Sequence, residues 1–210
     1  MQIHCVDIRI LPADLSGAEA LLTPERRAQM DRFRRPEDRL RALTGGLLLR
    51  AVLGSEAAAS VRTGEYGKPF LTEGPCFNLS HAGSLVVLGI GDAELGIDVE
   101  RAGRKLSDSV LRCLTPEERS WLEKVRPEDP TAFFRLWTAK ESIMKATGLG
   151  LQLSPRSFHV LPVTDGLHNI LEQDWHLYWR SPAEDYILCA ASREPSPPSL
   201  NFFSARELLL

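Results

Sequence analysis

No run of about 18 apolar residues occurs anywhere in the 210-residue chain, so no membrane-spanning helix is expected. The opening residues, Met1 to Arg9, alternate polar and apolar and lack a charged region followed by an apolar one, so export is not expected either. The four cysteines, Cys5, Cys76, Cys113 and Cys189, form no C-x-x-C pair, and the five histidines are equally dispersed. That scatter argues against a zinc site or a disulfide framework and suits reduced thiols in the cytoplasm. Charge of one sign is also missing: 25 Lys and Arg against 28 Asp and Glu leave −3, with no polybasic block. Neither nucleic acid nor an anionic membrane is expected as a partner. What remains is an ordinary globular composition, 43% hydrophobic and 25% charged, long enough to bury a full core without a metal or disulfide staple.

The order of patterns is strand, helices, strands, then helices and strands again. Residues 2–11 alternate like a strand. Thr23 and Pro24 cap a charged helical segment, and Leu40, Leu43, Leu47, Leu48 and Leu49 continue as a helix from Pro36 up to Gly54. From residue 58 to 100, short apolar runs broken by Gly and Pro predict three or four strands. Helical signals return at 106–113, at 115–124 behind Thr115 and Pro116, and at 130–147. Residues 156–204 return to strands, with a break at Pro195 to Pro198. This predicts an α+β protein of two halves, 1–103 and 104–210.

Chemistry concentrates in a few places. Asp98 and Glu100, two apart in an apolar strand, project from one face of a sheet, where two like charges are costly without a cation between them. As an isolated pattern this also fits two exposed carboxylates at a strand end. On the helix after residue 130, Phe133, Leu136, Trp137, Ile143 and Met144 form one apolar arc with Lys140 in its middle. An ammonium there either snorkels outward or pairs with an anion. Glu141 lies at the edge of the arc with Lys145 one turn on, which fits either a surface ion pair or phosphoryl chemistry. A third carboxylate added to Asp98 and Glu100 completes an oxygen set of the kind Mg²⁺ takes with phosphate oxygens. Lys68 in a Gly/Pro turn, and Ser80 with His81 at a strand end, add anion-binding character, each weak alone.

The set Gly67-Lys68-Pro69, Phe77-Asn78-Leu79-Ser80-His81, Gly96-Ile97-Asp98-Val99-Glu100 and Leu136 to Lys145 (LWTAKESIMK) closely resembles the signature of the Sfp-type 4′-phosphopantetheinyl transferases. The likeness runs from Pro24-Glu25-Arg26 to Gly148-Leu149-Gly150 and Ser157-Phe158. It implies a monomer of two similar α+β halves in pseudo-twofold arrangement, with the site in the cleft between them. The implied reaction moves the phosphopantetheine arm of coenzyme A to a serine of an apo acyl or peptidyl carrier protein and releases adenosine 3′,5′-bisphosphate. Fatty acid, polyketide and nonribosomal peptide synthesis are the pathways such carriers serve.

The resemblance puts metal ligands (Mg²⁺, or Mn²⁺) on Asp98, Glu100 and Glu141. It puts coenzyme A contacts on Lys68, Ser80, His81, Lys140 and Lys145, and a basic contact of some relatives on Arg26. Gln29 and Ala42 stand where some relatives have lysine and threonine, and Arg41, Arg34 or Arg35 is placed to compensate. Asp98, Glu141 and Lys145 are the catalytic set, with Glu141 accepting the serine proton directly or through a water. The segment 106–126, with Val110, Leu111, Arg112, Arg119 and Lys124, is a candidate dock for an acidic carrier helix, or an ordinary amphipathic pair. Two other classes stay open on the residues alone. A metal-dependent nuclease would want basic strips along a groove, and a non-catalytic binding module would lack part of the acidic trio.

Overall fold

A computed structural model of the chain describes residues 1–12, 14–15, 17–103 and 108–209. Its strands are β1 (Gln2–Asp7), β2 (Arg62–Thr63), β3 (Pro69–Phe70), β4 (Cys76–Ala82), β5 (Leu85–Gly91), β6 (Leu95–Arg101), β7 (Gly166–Ile170), β8 (Gln173–Arg180), β9 (Tyr186–Ser192) and β10 (Ser199–Phe202). Its helices are α1 (Pro24–Asp31), α2 (Pro36–Leu53), α3 (Ser55–Ala59), α4 (Asp108–Leu111), α5 (Pro116–Val125), α6 (Ala132–Thr147) and α7 (Ala205–Leu209). None of the described helices is long and apolar enough to cross a membrane.

Local chemistry sets most boundaries. Thr23 accepts a hydrogen bond from the Arg26 amide and Pro24 opens α1. Thr115 and Glu118 form a reciprocal capping box at the start of α5. Gly54 and Gly148, with φ of 84° and 71°, end α2 and α6 in a conformation that other residues adopt at a cost. The first strand stops at Asp7 rather than continuing to residue 11, because the Asp7 carboxylate accepts from the Arg9 amide and caps a 3-10 turn at Ile8–Ile10.

Two four-stranded sheets stack face to face, in the orders β10-β1-β5-β4 and β6-β9-β8-β7. Ile3, Cys5, Leu85 and Val87 of the first meet Ile97, Val99, Leu188 and Ala190 of the second across an apolar layer. The long leucine-rich α2 covers the outer face of the first sheet, with Leu43, Leu47 and Leu48 against Val6, Val86 and Leu88. Helix α6 covers the second sheet with Phe133, Leu136 and Ile143 against Trp175, Leu177 and Cys189. The α+β architecture of two helix-on-sheet halves is therefore as expected. The sheets divide before residue 103, however: β6 pairs with β9 in the second sheet, while β10 returns to pair with β1 and α7 buries Leu208 on the first half. The partner of each strand is chosen by long-range pairing that no local pattern encodes.

Between the sheets, β4 and β6 meet edge to edge, and side chains replace the usual ladder. Asn78 Oδ1 accepts from the Ile97 amide at 2.9 Å and Ser80 Oγ from the Val99 amide at 3.3 Å. Buried amides on this edge of β6 are thereby paired. On the α6 side of β6 lie Gly96, Asp98 and Glu100. A side-chain carbon at Gly96 would sit 2.1 Å from the Ser142 carbonyl oxygen and 2.4 Å from the Ala146 nitrogen, so the helix rests directly on the strand at this glycine.

Candidate active site

That close approach delivers α6 side chains to the carboxylates of β6. Lys145 Nζ lies 2.6 Å from Asp98 Oδ1 and 2.9 Å from Ser80 Oγ, and Ser80 itself donates to Asp98 Oδ1 at 2.9 Å. Three motifs separated by up to 65 positions thus converge at the seam between the sheets. Lys145 pairs with Asp98, a buried partner across the seam, where a desolvated carboxylate attracts the ammonium strongly.

Asp98 is 6% exposed, and its second oxygen, Oδ2, is buried without a hydrogen-bond partner among the described residues. Glu141, half-buried on α6, is held above the usual carboxylate range first by burial, then by the Asp98 charge, with a smaller push from Glu100 against a pull from Lys145. Glu141 therefore feels both other acids and one neighbouring ammonium. Among the described residues, no group of three His, Cys, Asp or Glu side chains is close enough as placed to hold a metal ion. The chemistry of the donors nonetheless fits a divalent cation: an orphaned carboxylate oxygen, like charges in mutual repulsion, and hard oxygen ligands throughout.

Beside this cluster opens a cleft of about 720 Å³, lined among others by Arg41, His81, Gly83, Glu100, Arg101 and Asp185. Arg41 Nη1 donates to the Gly83 carbonyl at 2.7 Å, and its Nη2 donates to Asp38. His81 stands at the mouth, and desolvation first, then the Arg41 and Lys145 charges, hold its imidazole below the ordinary value, so it is neutral at neutral pH. Arg26 lies half-buried on α1 with its pKa lowered by burial, and no hydrogen bond or ion pair among the described residues ties it to the cleft.

Two of the expected coenzyme contacts, Lys140 and Lys68, have protein partners in this structure. Lys140 is wholly buried and faces away from the cleft: its Nζ lies 2.8 Å from Glu118 Oε1, donates to the Pro155 and Phe158 carbonyls at 2.6 and 2.7 Å, and sits over the Phe158 ring. It is the anion-paired lysine that its place in an apolar arc allowed, a tie between α5, α6 and the 155–158 turn. Lys68 points its Nζ at the carbonyls of Leu95 and Ala146, at 3.2 and 2.8 Å, where it meets the negative end of α6.

Other residues escaped the sequence reading. Glu118 had a signal, the Thr115-Pro116-Glu117-Glu118 capping box, but nothing named Lys140 as its partner. Asn78 stood within the Phe77 to His81 motif with no role assigned to it, while Asp185 and Tyr186 carried no local signal at all. In the candidate docking segment, Leu106 lies outside the described residues, Val110 and Leu111 pack inward on the core under α6, and Arg112 and Lys124 are exposed.

Comparison with known proteins accords with this convergence. A family model for the 4′-phosphopantetheinyl transferase superfamily matches residues 94–191, the stretch that carries Asp98, Glu100, Glu141 and Lys145. A 4′-phosphopantetheinyl transferase of Bacillus subtilis is 34% identical over 188 residues, covering 84% of each chain. The 4′-phosphopantetheinyl transferase Sfp of Bacillus subtilis strain 168 is 32% identical over 90% of this chain and 91% of its own. The L-aminoadipate-semialdehyde dehydrogenase-phosphopantetheinyl transferase of Xenopus laevis is 32% identical over 71% of this chain and 58% of its own. With identity above 30% across most of both chains, and the matched span centred on the seam described above, the protein belongs to the 4′-phosphopantetheinyl transferase superfamily.

Proposed function

We propose that this protein transfers the 4′-phosphopantetheine arm of coenzyme A to a serine of an apo acyl or peptidyl carrier protein, acting as a monomer in the cytoplasm. The observation that carries the reading is the contact of Lys145 with Asp98 and Ser80 beside Glu141, at the edge of a cleft lined by Arg41 and His81. The serine hydroxyl attacks the phosphorus that bears the pantetheine arm. A new phosphorus–oxygen bond forms, the bond to the other phosphate of the diphosphate breaks, and adenosine 3′,5′-bisphosphate leaves.

Each residue has a task in that step. The Glu141 carboxylate takes the proton from the serine oxygen, directly or through a water. The Lys145 ammonium, already fixed by Asp98 and Ser80, offsets charge gathering on the transferred phosphoryl oxygens. Arg41 and His81 bind the phosphates of coenzyme A at the cleft. Asp98, Glu100 and Glu141 would hold Mg²⁺, or Mn²⁺ in its place, and such an ion supplies electrostatic stabilisation of the diphosphate. The exposed Arg112 and Lys124 suit an acidic carrier surface.

The test is to incubate the protein with coenzyme A, Mg²⁺ and a panel of apo carrier proteins and to follow the added arm by intact mass. Asp98→Ala and Glu141→Ala are expected to abolish transfer while remaining folded. Near wild-type turnover by either variant at saturating Mg²⁺ would refute the assignment. Tight coenzyme A binding with no arm transferred to any carrier would favour a binding module.

A further inference from the structure

The turn between β4 and β5 is held from across the seam. Tyr186, at the start of β9 in the second sheet, is buried to 5% exposure, and its hydroxyl accepts a hydrogen bond from the Ser84 amide at 2.9 Å and lies 3.3 Å from Ser84 Oγ. Its ring packs against Gly83, where φ is +52° and a side-chain carbon would sit 2.3 Å from the tyrosine oxygen. On the first-sheet side, the Asp7 carboxylate also reaches Ser84, and the Ile8 amide bonds the Ser84 carbonyl at 2.9 Å. The turn so fixed aims the Gly83 carbonyl at Arg41 Nη1, 2.7 Å away, in the wall of the cleft.

An arginine loses substantial rotamer freedom when a ligand immobilises it, so a guanidinium already held by a rigid carbonyl binds phosphate at lower entropic cost. We propose that Tyr186 is a positioning residue for coenzyme A: by clamping Gly83 and Ser84 from the opposite half, it sets the Arg41 guanidinium in the cleft. This rests on the assignment of the cleft to coenzyme A made above. It adds a consequence: phosphate affinity depends on the two halves being docked, since the clamp comes from the second sheet and the arginine from α2, which covers the first.

The test is a double-mutant cycle on the full chain with Tyr186→Phe, which keeps the ring against Gly83, and Arg41→Gln. Binding of coenzyme A and of adenosine 3′,5′-bisphosphate is read by titration calorimetry, and transfer to carrier by kinetics. Tyr186→Phe is expected to weaken binding and raise KM for coenzyme A about 3–10-fold, the effect of one lost hydrogen bond, with kcat within twofold. In the Arg41→Gln background, the same change is expected to cost nothing further. An equal loss in both backgrounds, or a fall in kcat with KM unmoved, would overturn the proposal. Amide exchange reads the clamp without a variant: the Ser84 amide is expected to be protected in the free wild-type protein, and rapid exchange there would also overturn it. Wild-type protein that binds coenzyme A but modifies no carrier would refute transfer while leaving the clamp supported by the cycle; no binding by wild type would refute both.

Discussion

The contact between Gly96 and α6 can be tested with one methyl group. A carbon at residue 96 would lie 2.1 Å from the Ser142 oxygen, whereas ordinary contact begins near 3.4 Å, so Gly96→Ala forces α6 away from β6 by roughly 1.3 Å. Both blocking atoms are backbone, so no rotamer change can absorb the shift. Glu141 and Lys145 ride on α6 while Asp98 and Glu100 stay on β6, and the 2.6 Å contact from Lys145 to Asp98 would open beyond hydrogen-bonding range. Misplacement of reacting groups by about 1 Å costs on the order of 100-fold in rate, and overpacking costs about 1–3 kcal/mol, or roughly 2–12 °C in Tm for a chain of this length. Arm transfer followed by intact mass and a thermal melt measure the two effects separately. Turnover within twofold of wild type with an unchanged Tm would refute the argument that this glycine sets the distance between strand and helix.

Removing Lys140 should leave a buried, unpaired Glu118 and cost about 3–5 kcal/mol, so Lys140→Met should lower the urea midpoint sharply. A loss under about 1 kcal/mol would show that the pair is not desolvated as the structure has it. His4 is buried, neither ring nitrogen has a partner among the described residues, and burial keeps its pKa below the ordinary 6.5. Its folded pKa is depressed, so below pH 6.5 the unfolded chain binds a proton that the folded one refuses. Stability should fall as pH drops from 6.5 toward the folded value and level off beneath it, and His4→Gln should flatten that slope in urea melts at pH 7.5 and pH 5.5. Chelation of divalent cations should stop arm transfer, with recovery on adding Mg²⁺ or Mn²⁺; full activity in excess chelator would remove the metal from the proposal.

The chain's periodicities and caps are local, and what they encode was readable: Thr23 with Pro24, the Thr115 box, Gly54 and Gly148 mark helix ends, and the apolar runs from 76 to 100 mark strands. The GIDVE strand and the LWTAKESIMK helix likewise display their acids and lysines at spacings that show which share a face. Sequence spacing could not show which groups meet across the fold. It left open that Lys145 reaches Asp98 instead of Glu141, that Lys140 turns inward to Glu118, and that Lys68 bonds two carbonyls. It also left open that β6 belongs to the second sheet and β10 to the first. Those choices arise when two sheets stack and a helix settles onto a glycine, because a charged side chain takes whichever partner desolvation leaves within reach, however distant along the chain.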